Sequence, residues 1–142
     1  MIFLDTNVFI EAFGRDASQR VVARELDART LLTALTLGRL EATTSEAILA
    51  EVTFVLTRGT RPARPVVDVA AFLTNVLAAP GLRFGPKHIY SQALDMWASR
   101  PGLGFVDALT ICYARQGDVK LASFDKQLLA SPGVTPYWAE AT

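Results

Sequence analysis

Three aspartates occupy similar places in the sequence, each at the predicted start of a helix. Asp5 follows the apolar segment MIFL and Asp125 follows VKLAS, so both stand where a predicted strand ends; Asp107 lies in the first turn of the helical segment FVDALTICYARQG. A carboxylate at a helix start accepts hydrogen bonds from unpaired N–H groups, which is a structural reason for an acid there. Capping or the helix dipole is therefore a sufficient explanation for each aspartate taken alone. A catalytic or metal-binding role would be indicated only if the three carboxylates lie close together in the fold.

Two glutamates share the predicted helix SEAILAEVTFVLTR and have to be told apart. Its apolar stripe is formed by Ile48, Val52, Val55 and Leu56. Glu46 projects away from this stripe, and its spacing from Thr43 fits a capping box. Glu51 projects at the edge of the stripe, where an unpaired carboxylate is costly. Glu51 is therefore the better functional candidate of the two.

Four carboxylates brought together would need a counter-charge, because at ~4 Å and an effective dielectric near 20 each pair costs about 4 kcal/mol. A divalent cation supplies it. The chain has one histidine, His88, and one cysteine, Cys112, which excludes a zinc site of the usual kind. All-oxygen ligands suit Mg²⁺ or Mn²⁺, ions that activate water for attack on phosphoryl groups. The segment GLGFV (102–106) lacks a full phosphate-binding glycine motif, so the pattern favours phosphodiester hydrolysis over nucleotide binding.

An α/β fold could bring these residues to one place. The strand-like segments MIFLD, EATT, LRF, VKLAS and VTPYW alternate with helical segments, of which 17–40 is one long helix or two. This alternation predicts a single domain over residues 1–142, with a parallel sheet covered by helices on both faces. In such a sheet, sites form beyond the carboxyl ends of the strands, where the strand order reverses.

Composition bounds the class of protein. Hydrophobic residues make up 51% of 142, the mean hydropathy is +0.27 and the formal net charge is zero. The apolar N-terminus has no leading basic residue, and Pro80 breaks the longest uncharged stretch (69–82), so we expect no signal peptide, no membrane span and a cytoplasmic protein. A zero net charge gives no general attraction to nucleic acid. Any contact would be local; Arg15 and Lys126 are nearest the acids, whereas the loop RGTRPAR (58–64) is expected to be solvated.

Several motifs in this order resemble a known family. FLDTNVFI, TTSEAILAEVTFVL and GFVDALTICYARQGDVKLASFDKQL are similar to the corresponding segments of PIN-domain ribonucleases, and more narrowly of the VapC-type toxins of toxin–antitoxin pairs. The resemblance extends over nearly the whole chain. It implies a three-layer α/β/α sandwich with a parallel sheet of about five strands.

The resemblance also implies a site and an activity. The four acids of the family fall on Asp5, Glu51, Asp107 and Asp125. As a mechanism, Asp5 and Asp107 would hold the principal Mg²⁺ or Mn²⁺ and the other two would complete the site, directly or through water. Thr6, Asn7 and Ser123 (often Thr in the family) would orient these acids. The implied protein is a homodimeric endoribonuclease inhibited by a small antitoxin.

Two alternatives stay open at this point. A receiver-like phosphorelay domain also gathers aspartates around Mg²⁺ at strand ends, but it normally has a paired acid at its first strand, where this chain has Asp5 alone. A non-catalytic PIN-like protein that only binds partners would not need all four acids, and all four are present.

Overall fold

The apolar segment before Asp5 forms the central strand of a parallel sheet. The computed structural model describes residues 1–60, 62–84 and 86–138, without the side chains of Lys87, Tyr90, Ser91 and Pro101. Strand β1 (Ile2–Leu4) pairs on one side with β2 (Ala42–Thr44) and on the other with β4 (Lys120–Ala122), while β3 (Leu82–Phe84) pairs with β2. The order is β3-β2-β1-β4, all parallel. Both β1 and β2 are buried throughout, as in a sheet covered on both faces.

Seven helices connect and cover these strands in the described part of the chain. They are α1 (Thr6–Phe13), α2 (Val22–Thr36), α3 (Glu46–Phe54), α4 (Val66–Leu77), α5 (Lys87–Ser99), α6 (Phe105–Ala114) and α7 (Lys126–Leu129). Helix α1 packs against α2 and α3, and α5 packs against α6. From β1 the chain adds β2 and then β3 on one side of β1, and it then crosses back to place β4 on the other side. Because crossovers between parallel strands are right-handed, the helices that connect β1, β2 and β3 cover one face of the sheet, and those between β3 and β4 cover the other. The predicted α/β architecture is therefore confirmed.

Within the described residues the sheet has four strands, and the fifth predicted strand is reduced to one bridge. In the segment VTPYW only Pro136 pairs, with Leu121, through hydrogen bonds from Leu121 N to the Thr135 carbonyl and from Tyr137 N to the Leu121 carbonyl, both 2.8 Å. Proline is tolerated at such an edge because it has no N–H to pair. On the opposite side of the chain after β4, Phe124 N donates to the Asn7 side chain.

Two predicted helices are shorter than their apolar patterns indicated. The segment 17–40 contains the single helix α2, preceded by a turn. Helix α3 ends at Phe54, and the chain continues as a π-helical turn (Val55–Gly59) up to the glycine that was expected to end the helix. No described helix is both long enough and apolar enough to span a membrane.

A large apolar core holds the sheet between its helices. Phe3 and Leu4 of β1 are fully buried, as are Val8 and Phe9 of α1. The ring of Phe3 packs on that of Tyr113 from α6, with centroids 4.6 Å apart. The helix that follows Asp5 is thus fixed to the core by its own apolar face, so the position of the Asp5 carboxylate depends on this packing.

Gly81 provides a test of the fold, because it lies where the chain enters β3 against the end of α2. A Cβ there would overlap the Leu40 carbonyl oxygen and lie 3.0 Å from that of Leu35. We expect Gly81→Ala to lower the free energy of unfolding by about 3 kcal/mol, because backbone would have to move. Urea unfolding measures this. Gly102→Ala is the matched control, since a Cβ at Gly102 has no neighbour within 4 Å; equal losses in both variants would contradict the packing described.

Candidate active site

The site lies at the carboxyl ends of β1 and β4, where the strand order reverses. The chain leaves β1 towards β2 on one side and returns to β4 on the other. Asp5 directly follows β1, and Ser123 and Asp125 follow β4. Adjacent parallel strands whose connections run in opposite directions leave a crevice at this edge, which is the usual position of a site in such sheets.

Asp5 is both the N-cap of α1 and the most buried acid of the site, with 6% of its surface exposed. Its Oδ1 accepts a hydrogen bond from Thr6 N at 2.8 Å. Its Oδ2 accepts one from Ser123 Oγ at 2.7 Å and one from Asn7 Nδ2 at 3.3 Å. The capping interpretation and the functional interpretation of Asp5 are compatible, because capping by Oδ1 uses only one of the acceptor positions of the carboxylate.

Asn7 and Ser123 tie the two strand ends together. Asn7 Nδ2 also donates to Ser123 Oγ at 3.2 Å, and Asn7 Oδ1 accepts from Phe124 N at 3.1 Å. Ser123 Oγ accepts in turn from Asp125 N at 3.0 Å. The loop that carries Asp125 is thereby fixed relative to Asp5. The Phe124 contact is made by a main-chain N–H, which no side-chain pattern in the sequence could indicate.

Glu51 is held towards the site by Thr6. Thr6 Oγ1 donates to Glu51 Oε2 at 2.6 Å, which joins the start of α1 to α3. Glu46 is exposed, in agreement with its expected direction. Its predicted capping box with Thr43 is wrong, because Thr43 lies in β2 and the N-cap of α3 is Ser45, whose Oγ accepts from Ile48 N at 3.2 Å. Ser45 satisfies the helix start without any glutamate.

The remaining two acids differ in how much of their hydrogen-bonding capacity is used. Asp107 is half-buried in the first turn of α6 and receives no hydrogen bond from the described residues. Asp125 caps α7, since its Oδ1 accepts from Gln127 N at 2.9 Å and from Leu128 N at 3.3 Å. The capping role predicted for Asp125 is therefore confirmed, and its Oδ2 is left without a hydrogen bond from the described residues.

The four carboxylates interact electrostatically. Burial raises the pKa of Asp5 from 3.8 to about 6; hydrogen bonds from Ser123 and Thr6 oppose this increase, while the charges of Glu51 and Asp107 add to it. Burial also raises the pKa of Asp107, and the charges of Asp125 and Glu51 raise it further. Glu51 and Asp107 therefore lie within range of the charge of Asp5, and Asp125 and Glu51 within range of that of Asp107.

The donor atoms suit a hard cation, but they are not assembled around one. All four side chains supply carboxylate oxygens, the ligands that Mg²⁺ and Mn²⁺ prefer. Among the described residues, no group of three or more His, Cys, Asp or Glu side chains is arranged so that it could hold a metal ion. A cation bound at this edge would therefore have to draw the carboxylates towards itself.

The cations proposed for RNA contact differ in their surroundings. Arg15 is paired with the buried Glu11, with Nε and Oε1 2.7 Å apart. Lys126 is exposed and directly follows Asp125. In the loop 58–64, Arg61 lies outside the described residues, and Arg64 does not simply face solvent, because its Nη2 donates to the Gly14 carbonyl at 2.6 Å.

A comparison with protein families matches residues 2–132 to the model of the PIN domain. The chain belongs to the PIN domain family. The match includes all four acids as well as Thr6, Asn7 and Ser123. PIN domains are generally nucleases, so membership supports a nuclease, and thus a hydrolase, at this coarse level. A comparison with curated proteins gave no match.

The raised pKa of Asp5 predicts how the stability of this PIN domain depends on pH. The folded pKa of about 6 lies above the unfolded value near 3.8, so the folded state binds more protons between these values. The contribution of Asp5 to the free energy of unfolding is then fully present below pH ~4. It is lost as the pH rises through ~6, which lowers the free energy of unfolding by up to about 3 kcal/mol. Asp107 acts in the same direction. Urea unfolding from pH 4 to 7 in EDTA measures the loss, and an equal pH dependence in Asp5→Asn would contradict the assignment to Asp5.

The Ser123 hydroxyl should have a measurable effect on Asp5. Its hydrogen bond stabilises the ionised carboxylate, so Ser123→Ala should raise the pKa of Asp5 above the wild-type value. Ser123→Thr keeps the hydroxyl and should leave that pKa close to wild type. Carboxyl ¹³C NMR titration reports the pKa directly. Ser131→Ala, which removes a hydroxyl bonded only to the Gln127 carbonyl, is the control; a pKa unchanged in Ser123→Ala would show that the bond does not form.

Proposed function

We propose that this PIN domain is a Mg²⁺- or Mn²⁺-dependent endoribonuclease that acts as the toxin of a toxin–antitoxin pair in the cytoplasm. One observation carries the nuclease part of the proposal. At the reversal point of a PIN domain sheet, the charges of Glu51 and Asp107 raise the pKa of Asp5, and those of Asp125 and Glu51 raise the pKa of Asp107. Burial is the largest cause for both, and it brings the pKa of Asp5 to about 6. Burial and neighbouring carboxylates raise the pKa of Asp5 and of Asp107, and a divalent cation would stabilise their ionised forms.

Each acid would have its own part in hydrolysis. Asp5 and Asp107 would hold the ion, while Glu51 and Asp125 complete its surroundings directly or through water. The ion, when bound, orients a water molecule, lowers its pKa and stabilises charge on the phosphate oxygens. Glu51, held by the Thr6 hydroxyl at 2.6 Å, is suited to take the proton from that water. Ser123 and Asn7 keep the Asp5 carboxylate in one orientation throughout.

The toxin assignment rests on the resemblance of the three motifs to VapC-type proteins. It includes a homodimer and a small cognate antitoxin that neutralises the nuclease. The genomic neighbourhood tests it: a short adjacent reading frame encoding a DNA-binding protein with a disordered tail would support it. If co-expression of the adjacent product left the nuclease active, the toxin assignment would fail while the nuclease assignment remained.

The non-catalytic alternative is less well supported. All four acids are present, and the side chains of Thr6, Asn7 and Ser123 each donate a hydrogen bond to Asp5 or to Glu51. A protein that only bound partners would have no need for a buried carboxylate with this many donors around it. The receiver-like alternative lacks support, because the chain belongs to the PIN domain family.

Substitution of the acids tests the nuclease directly. We expect Asp5→Asn and Asp107→Asn each to lower the rate of RNA cleavage in Mn²⁺ by at least about 100-fold, because charge stabilisation at a reacting phosphate contributes on this scale. Single-turnover cleavage of a panel of structured and single-stranded RNAs measures the rate. EDTA should abolish cleavage.

Glu46→Gln is the matched control, since Glu46 lies on the same helix as Glu51 but is exposed. It should cleave at the wild-type rate, whereas Glu51→Gln should not. Wild-type activity in Asp5→Asn would contradict the assignment of RNA cleavage to this site. Calorimetry of Mn²⁺ binding is a second test, because Asp107→Asn should bind Mn²⁺ more weakly if Asp107 is a ligand.

A further inference from the structure

An arginine, a phenyl ring and an indole lie in contact next to the carboxylates. The guanidinium carbon of Arg24 is 5.7 Å from the centroid of the Phe124 ring, within the range of a cation–π contact. The Phe124 ring stacks on Trp138, with centroids 4.8 Å and planes 13° apart. Phe124 stands between Ser123 and Asp125, and its N–H is bonded to Asn7. Arg24 therefore contacts, and Trp138 stacks on, the residue that lies between Ser123 and Asp125.

Among the residues that the structure describes, Arg24 has no anionic partner, whereas Arg15, Arg20 and Arg29 each have one. Arg15 pairs with Glu11, and both Arg20 and Arg29 pair with Glu25, all with N–O distances of 2.7 Å. Arg24 is exposed, and within the described ranges no carboxylate or carbonyl accepts a hydrogen bond from it. Its guanidinium is positioned by an aromatic ring, which leaves its N–H donors available for a ligand.

The position of Arg24 on its own helix gives no local reason for the charge. It lies in the first turn of α2, where the helix dipole disfavours a cation. Within α2 this cation is therefore unfavourably placed, and its described contact is with the Phe124 ring of another element. Lys126 is a second exposed cation at this edge, directly after Asp125.

We propose that Arg24, held against Phe124, binds a backbone phosphate of a single-stranded nucleic acid that lies across the carboxylate site. The proposal rests on the nuclease function proposed above. A chain with zero net charge has to supply local cations to bring a polyanion close to four acids. Aromatic side chains beside a basic groove are typical of surfaces that bind single strands, and a guanidinium suits bidentate contact with phosphate.

Steady-state cleavage of a single-stranded RNA in Mn²⁺ tests the proposal with the full chain. We expect Arg24→Ala to raise KM about tenfold and to leave kcat unchanged, because one charged hydrogen-bonded contact is lost in binding but not in chemistry. Arg24→Lys should be intermediate, since it keeps the charge but not the planar contacts. Phe124→Leu, checked for folding by its melting temperature, should raise KM in the same direction.

Binding of the same RNA in EDTA, followed by fluorescence anisotropy across a salt series, gives an independent readout. The slope of log K against log salt should fall by about 0.7 in Arg24→Ala, as for one phosphate of a single strand. Arg39→Ala removes an equal charge beyond the far end of α2, which lies about 18 Å along the helix from Arg24, and should change neither KM nor the slope.

The outcomes separate the two proposals. An unchanged KM and salt slope in Arg24→Ala, together with loss of cleavage in Asp5→Asn, would overturn the role of Arg24 and leave the nuclease standing. Equal effects of Arg24→Ala and Arg39→Ala would overturn it as well, because they would show an attraction to overall charge. A wild-type chain that neither binds nor cleaves single-stranded RNA would overturn both.

Discussion

The burial of one carboxylate is the constraint on which the rest of the structure depends. Asp5 ends the central strand, and 6% of its surface is exposed. A buried acid is stable only when its charge is paired or its oxygens are hydrogen-bonded. Three donors from two different strand ends converge on it, namely Thr6 N, Ser123 Oγ and Asn7 Nδ2. Its pKa still rises to about 6, so these donors offset the cost of burial only in part. The local structure is thus arranged around a charge that remains unfavourable.

The order of the strands explains why those donors can reach Asp5. Because β1 lies between β2 and β4, its carboxyl end is flanked by the junction that carries Ser123 and Asp125. Helix α3 follows β2 and packs against α1, which brings Glu51 to the Thr6 hydroxyl. The acids come from positions 5, 51, 107 and 125. A site assembled from such distant parts of the chain depends on the core packing behind β1 and α1.

Local signals made much of this predictable from the sequence. Apolar runs and helix-start residues indicated the parallel sheet, and the helical wheel separated Glu51 from Glu46. Contacts between distant residues could not be predicted, because no period or spacing encodes them: Phe124 N with Asn7, and Arg24 with Phe124, are examples. The Thr43 capping box failed for a related reason. Two residues had the correct spacing, but β2 extends through Thr44, so the N-cap is Ser45 and the helix starts at Glu46.

The carboxylates also differ in how many acceptor positions remain unused by hydrogen bonds and so are available to a cation. An ionised carboxylate has about four acceptor positions. Asp5 uses three of these, which leaves about one in a fixed direction. Asp125 commits Oδ1 to capping α7, and Glu51 uses Oε2 for Thr6. Asp107 receives no hydrogen bond from the described residues, so its oxygens are the least restrained. A cation at this edge would thus meet three acids oriented by hydrogen bonds and one, Asp107, that could turn towards it without breaking a hydrogen bond to the described residues.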